Sequence, residues 1–437
     1  MVDLITETVS YLTRVHRRHL VEDTIATRRP AGMLYKRGQR DMNVDDPDDQ
    51  TMGIDIPTMK RNKKSFEANM KMLANSKHYR DIDKRELKGL TPEEIAERYI
   101  NHFKDNILHV HDNVPKAIRE VTRRWYDGAH SLASRRALEY RLPKSSIAAV
   151  YAALSPNNEW NNNVALGDRV LEHYHKKQNH PWSKEMDNVA RDIWKAKDQV
   201  HLDKIRGKTL SQLKDPVEKA MWIRTHDEAH NSKDHYQLAP TGEFTTKLGQ
   251  KTSWQTTPMI AKAISAIESG GDTQKISAIM GQKHKIRNFY NNIIAPNSSR
   301  GDVTVDTHAV AAAHLKPYGG KAMPVLHNFA SSLKKADQGP DWTPVKNDPK
   351  KTGIQGTYPL YQEAYRRAAA ERGVLPREMQ SITWEGIRDL FPTKHKNRGL
   401  APVHEIWDNH HAGKITADEA RRQVYDLAAH VKNGENS

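Results

Sequence analysis

Ile279-Met280-Gly281-Gln282-Lys283-His284-Lys285-Ile286-Arg287-Asn288-Phe289-Tyr290 is the stretch on which the fold of this chain turns. Helical spacing runs up to Met280, and Gly281 supplies the residue that tolerates the positive φ at which helices end. A second helix is predicted from His284, carrying Lys285, Arg287 and the aromatic pair Phe289 and Tyr290. Two helices joined through a glycine leave free N–H groups at the second N-terminus, here ringed by basic side chains, which is an arrangement for holding a phosphate. Downstream, Val303-Thr304-Val305 delivers Asp306 to the start of a third helix, predicted from Thr307 to Leu315. There the helix dipole favours the anionic carboxylate, which can cap free N–H groups.

Outward from this stretch the pattern stays helical. Thr91-Pro92-Glu93-Glu94 reads as a helix start, with a capping Thr, Pro in the first turn and acids at the positive dipole end. Further helices are predicted over 113–134, 145–154, 258–268, 273–280, 358–373, 383–391 and 416–433, while β patterning is scarce. Residues 175–250 read as a polar, irregular insertion. The chain is therefore expected to be mainly α. Residues 1–85 form an N-terminal extension, a helix over 1–26 followed by an acidic and basic linker; 86–345 form the core, and 346–437 a C-terminal helical region.

Composition sets the partners. The 437 residues hold 69 Lys and Arg against 54 Asp and Glu, a formal charge of +15, and no cysteine. A polyanion such as DNA is the natural counterpart of that surface. The absence of cysteine removes disulfides, thiolate metal sites and cysteine nucleophiles. No run of 18 apolar residues occurs, so no membrane span is expected. The acidic start, Met1-Val2-Asp3-Leu4-Ile5-Thr6-Glu7, is not a signal peptide. A cytoplasmic protein is expected, in the host cytoplasm if phage-encoded. No phosphate-binding P-loop or dinucleotide glycine motif is present, and no cofactor is implied. His226 and His230 stand four apart as in a helical zinc site, but Glu228 is misplaced for the protease motif, and no metal is expected.

The bend and the Asp together resemble the helix–hairpin–helix (HhH-GPD) DNA glycosylase superfamily. Its hairpin, Leu-Pro-Gly-x-Gly-x-Lys-x-Ala-Asn, aligns with Gly281, Lys285 and Asn288, and its following Val-Asp-x-His aligns with Val305-Asp306-Thr307-His308. A second likeness lies in Ile147-Ala148-Ala149-Val150-Tyr151-Ala152-Ala153-Leu154-Ser155-Pro156-Asn157-Asn158, an apolar helix ending in polar residues that fill the gap left by a flipped base. The resemblance implies a two-lobed helical core over roughly 115–318, double-stranded DNA as partner and base flipping. It implies Asp306 as the carboxylate that stabilises the sugar cation and Lys285 as the amine that attacks C1′. It also implies DNA contacts from Gly281, Lys283, Arg287, Asn157, Asn158, Trp160 and His308. The motif departs at Met280, where the family has Pro, and at Lys283, where it has Gly, so Lys283 is a rival to Lys285. The pattern is also similar to tailed-phage proteins related to thymine-hypermodification enzymes. Excision of a base, transfer of an amine or amino acid to an activated 5-hydroxymethyluracil, and DNA binding without catalysis are thus the three expectations. The oligomeric state stays open.

Overall fold

The computed structural model describes residues 63–330, 356–392 and 401–434, apart from Asn157, Gln282, Lys283 and Ser299. The predicted helix over 1–26, the charged linker after it, and the sites proposed for Asn157 and Lys283 lie outside the described residues. Within them the chain is mainly helical. It runs through α1 (Lys63–Asn75), α2 (Pro92–Asn113), α3 (Lys116–Thr122), α4 (Trp125–Tyr140), α5 (Lys144–Leu154), α6 (Trp160–Lys176), α7 (Lys184–Ile193), α8 (Gln199–Ile205) and α9 (Pro216–His230). One antiparallel hairpin follows, β1 (Tyr236–Leu238) and β2 (Phe244–Leu248). Then come α10 (Thr257–Glu268), α11 (Thr273–Met280), α12 (His284–Ile294), α13 (Thr307–His314), α14 (Met323–Asn328), α15 (Tyr358–Arg372), α16 (Pro376–Leu390), α17 (Ala401–His411) and α18 (Ala417–Gly434).

The chain makes two compact units. One gathers the described residues up to Trp125 with those from Arg300 onward; the other is the continuous stretch Tyr126–Ser298. In the first, α2 is central. Tyr99, Phe103, Ile107 and Val110 sit at helical spacing and are fully buried. The run of alanines from Ala311 to Ala313 gives α13 a small surface, and α2, α15 and α16 all pack on it. Residues read as extension join this core, with Phe66, Met70, Leu73, Tyr79 and Ile82 all buried. Thr91 and Glu94 cap α2 reciprocally: the Glu94 carboxylate accepts from Thr91 N–H (2.7 Å) and Thr91 Oγ1 from Glu94 N–H (3.3 Å).

A charged group is sealed inside the same unit. Asp81 is fully buried, with Oδ2 2.7 Å from His314 Nδ1 and 3.2 Å from His102 Nε2, and Oδ1 3.8 Å from Lys316 Nζ. Burial alone would raise the Asp81 pKa, but the neighbouring His314 and Lys316 outweigh it and hold the carboxyl well below the usual range.

The second unit is built around α5, whose side chains from Ser145 to Leu154 are all buried. A helix apolar all round must be covered on every side, and here α6, α10, α11 and α12 pack against it. The stretch 175–250 is more ordered than its composition predicts. It holds α7, α8 and α9 as well as the hairpin. Its apolar residues are few because the two short helices bury one side each, through Met186 and Ala190 or Leu202 and Ile205. The helix predicted over 113–134 is broken near Arg123, where α3 ends and α4 begins.

Candidate functional site

The glycine bend forms as the sequence predicts. Asp272 caps α11 by accepting from Gln274 N–H (2.9 Å) and Lys275 N–H (3.0 Å). The helix ends at Gly281, with φ +64° and ψ −153°. A Cβ there would meet only the Ala278 carbonyl oxygen, at 4.0 Å, so the dihedrals and not a lack of room call for glycine. Arg287 closes the bend. Its Nε donates to the Gly281 carbonyl (3.1 Å) and its Nη2 to the Ser277 carbonyl (2.9 Å). A guanidinium thus satisfies C-terminal carbonyls of α11 at the negative end of its dipole. The side chain is buried, and that burial lowers its pKa. Lys285 is half-buried on the first turn of α12, and Asn288 Nδ2 donates back to the His284 carbonyl (2.9 Å).

The tip after α5 lies in the same unit. Asn158 Nδ2 donates to the Leu154 carbonyl (2.7 Å), while its Oδ1 accepts from Asn162 Nδ2 (2.8 Å) and Gln255 Nε2 (3.3 Å). These carboxamides hold one another in place. Trp160 meets Tyr151 edge-on (5.8 Å) and Phe289 edge-on (5.9 Å), so the indole ties the start of α6 to α12. Asn158, Trp160, Gly281, Lys285 and Arg287 therefore belong to one unit.

Asp306 and His308 belong to the other. Val303 and Val305 are fully buried, and the Tyr358 hydroxyl pins them, accepting from Val305 N–H (2.9 Å) and donating to the Val303 carbonyl (2.7 Å). Asp306 follows as the cap of α13, its Oδ1 accepting from Ala309 N–H (2.9 Å). Its Oδ2 accepts from the Trp384 indole N–H (3.1 Å) and lies 3.6 Å from His308 Nδ1. The Asp306 and His308 side chains keep 20% and 26% of their surface exposed. The His308 ring is tilted against the Trp384 ring at 5.4 Å, and the Arg388 guanidinium stacks over that indole at 4.3 Å. Beneath them Tyr365 is buried, and burial followed by the nearby Asp306 charge pushes its phenol pKa up. The site is thus a part-exposed carboxylate held by a backbone N–H and an indole N–H, with an imidazole beside it.

Trp384 and Arg388 are the members that sequence reasoning missed. Trp384 reads as a core or interface aromatic, and nothing local joins α16 to Asp306. His226 is turned to other imidazoles, while His230 Nε2 lies 3.0 Å from Ser183 Oγ. His226 Nδ1 lies 3.0 Å from His173 Nε2, and its Nε2 3.3 Å from His180 Nδ1. Among the described residues no group of three or more His, Asp or Glu side chains could hold a metal ion, and no helix is long and apolar enough to cross a membrane.

Residues 91–211 fit the model of DUF7178, a family of unknown function. The match covers a minority of the chain, running from α2 in the first unit into the second. No curated protein and no solved structure matches the chain.

Proposed function

We propose that this chain binds duplex DNA and acts on an extruded nucleotide at its glycosidic bond, with Asp306 as the reacting carboxylate. The observation that carries the reading is how that carboxylate is held. Ala309 N–H takes one oxygen, Trp384 N–H the other, and the side chain still reaches solvent. N–H donors favour the anion, and an anion fixed in place stabilises the positive charge that develops at the sugar C1′ as the base departs with the bonding pair. Water then forms the new bond to C1′ and gives up a proton to solvent. The Gly281 bend supports phosphate contact, and the +15 charge supports a polyanionic partner.

Incubation with duplexes carrying damaged or phage-type modified bases tests this. Wild type is expected to release free base and leave abasic sites, and Asp306→Asn to release none. Absence of base release from every such duplex would sink the reading.

One observation favours a second reaction on the same site. With His308 Nδ1 3.6 Å from Asp306 Oδ2, the pair is placed to accept a proton from an incoming amine. The amine nitrogen would bond to the activated thymine methyl carbon as the activating group leaves with the bonding pair, yielding a heavier nucleoside by mass spectrometry and no free base.

A further inference from the structure

The hairpin of the second unit is held firmly and yet leaves its large side chains bare. Its turn is locked to α4. Gly242 adopts φ +82°, a Cβ on it would collide with the Gly128 backbone, and Arg135 donates to the Gly242 carbonyl. Leu238 N–H donates to Asn161 Oδ1 (2.8 Å), which fixes β1 to the start of α6. At the base, Gly249 N–H reaches the His235 carbonyl (2.8 Å) and Thr252 N–H the Lys233 carbonyl (2.7 Å). Cross-strand pairing sets Tyr236 against Leu248 and Leu238 against Phe244, with a register shift between the two pairs. The ribbon leaves three large side chains open: Tyr236 is 53% exposed, Phe244 44% and Leu248 57%. Apolar side chains held in place and left uncovered mark an interaction surface.

The surroundings select the partner. Arg136 stacks against the Phe244 ring (5.4 Å), its guanidinium already paired with Asp168 and Glu139. Lys247 within β2 and Lys251 just after it are exposed, and Glu243 is the only carboxylate from Tyr236 to Leu248. Through Asn161 the hairpin adjoins the mutually bonded carboxamides of Asn158, Asn162 and Gln255. Exposed aromatic rings with lysines nearby match an unpaired nucleotide: a π-face to stack and a phosphate.

We infer that the β1–β2 hairpin is a stacking platform for unpaired nucleobases of a DNA strand, with Tyr236 and Phe244 as the stacking rings. This rests on the DNA-binding half of the reading above but not on any chemistry at Asp306. Tyr236 and Phe244 would engage bases beside a flipped or unpaired position, and Lys247 and Lys251 the adjoining phosphates.

The test uses the full chain and fluorescent oligonucleotides of about 16 nucleotides: a single strand containing 2-aminopurine, a duplex with an unpaired bulge, and the fully paired duplex. Wild type is expected to quench 2-aminopurine in the first two. The double variant Tyr236→Ala/Phe244→Ala should bind them ~10-fold or more weakly, with the paired duplex little changed. Tyr236→Phe/Phe244→Tyr should restore quenching, since either ring stacks. Both positions are exposed, so unchanged thermal melting verifies folding. Wild-type affinity and quenching in the alanine variant would overturn the inference. So would sedimentation showing self-association of wild type that the alanine variant abolishes, because the face would then be a protein contact. Asp306→Asn serves as the separating control: loss of base release with intact, hairpin-dependent quenching keeps the two claims apart, as does base release by a chain whose alanine variant binds normally.

Discussion

The Trp384 indole N–H donates to Asp306 Oδ2 across 3.1 Å, although 78 positions separate the two residues in the chain. The bond makes α16 part of the carboxylate's setting and gives the C-terminal region a task. Trp384→Phe keeps the packing surface and removes the N–H. A hydrogen bond to a charged group contributes ~1.5–3 kcal/mol, so denaturant unfolding should show a loss of that order. Under the function proposed above, base release should fall with it.

Asp306 serves two ends that substitution can separate. Asn caps a helix about as well as Asp, whereas Ala costs ~1 kcal/mol. An Asn carboxamide keeps one acceptor oxygen for Ala309 N–H but turns its NH2 toward the Trp384 N–H. Asp306→Asn should therefore lose about as much stability as Trp384→Phe, and Asp306→Ala about a cap more. Both should lose any chemistry that needs the negative charge. Equal loss of stability in the two variants would show that the charge itself holds α13 in place.

The bend at Gly281 carries its own expectation. Its dihedrals fall where an L-residue is strained by ~1–3 kcal/mol, so Gly281→Ala should lower stability within that range without filling any space. Arg287→Met should be destabilising for another reason, since it withdraws charged donors from the Gly281 and Ser277 carbonyls. Chemical denaturation of both variants checks this. A neutral Arg287→Met would mean that those carbonyls find water.

These cases also show what the sequence could tell. Asp272, Gly281 and Asp306 act on backbone within four residues of themselves, so their capping and turn chemistry reads directly from local order. Trp384 acts on a residue far away, through the packing of α16 on α13, and its own neighbourhood carries no trace of that. The hairpin hides for a different reason. Strand patterning is recognised by an apolar face turned inward, and here Tyr236, Phe244 and Leu248 face out over strands of three and five residues. Arg287 and Trp160 have residue types that suit DNA contact, but packing decides how much of each is available: Arg287 is buried against carbonyls of its own unit, and Trp160 is half-buried against Tyr151 and Phe289.

The buried charge at Asp81 supplies a sharper stability test. Its folded pKa is depressed, so the stabilisation is present above the unfolded value near 3.8 and is lost as pH falls below it. Asp81→Asn would leave Lys316 buried without its counter-charge, and removing one partner of such a pair costs ~3–5 kcal/mol. Melting at neutral pH should reveal a loss of that order. Asp81→Asn with Lys316→Met should recover part of it.

The histidines of the second unit should make stability fall in mild acid. His173 Nδ1 faces the Arg169 carbonyl (2.7 Å) and so carries a proton, which leaves Nε2 to accept from His226 Nδ1–H. His226 Nε2 in turn accepts from His180 Nδ1–H. Every inner nitrogen is satisfied only while the rings are neutral. Burial, then the nearby His173, His230, Lys177 and His180, hold the His226 pKa down to about 3, and burial also lowers that of His173. Unfolded histidine titrates near 6.5, so below about pH 6.5 the unfolded chain binds more protons. The contribution of the neutral rings is complete above that value. It is lost as pH falls toward 3, by up to ~1.4 kcal/mol per pH unit for each such ring. Thermal melting of wild type between neutral pH and about pH 4 should show the decline. His226→Gln, whatever it does to stability at pH 7, should flatten the slope by close to one proton, and a wild-type slope in that variant would mean that the titrating groups lie elsewhere.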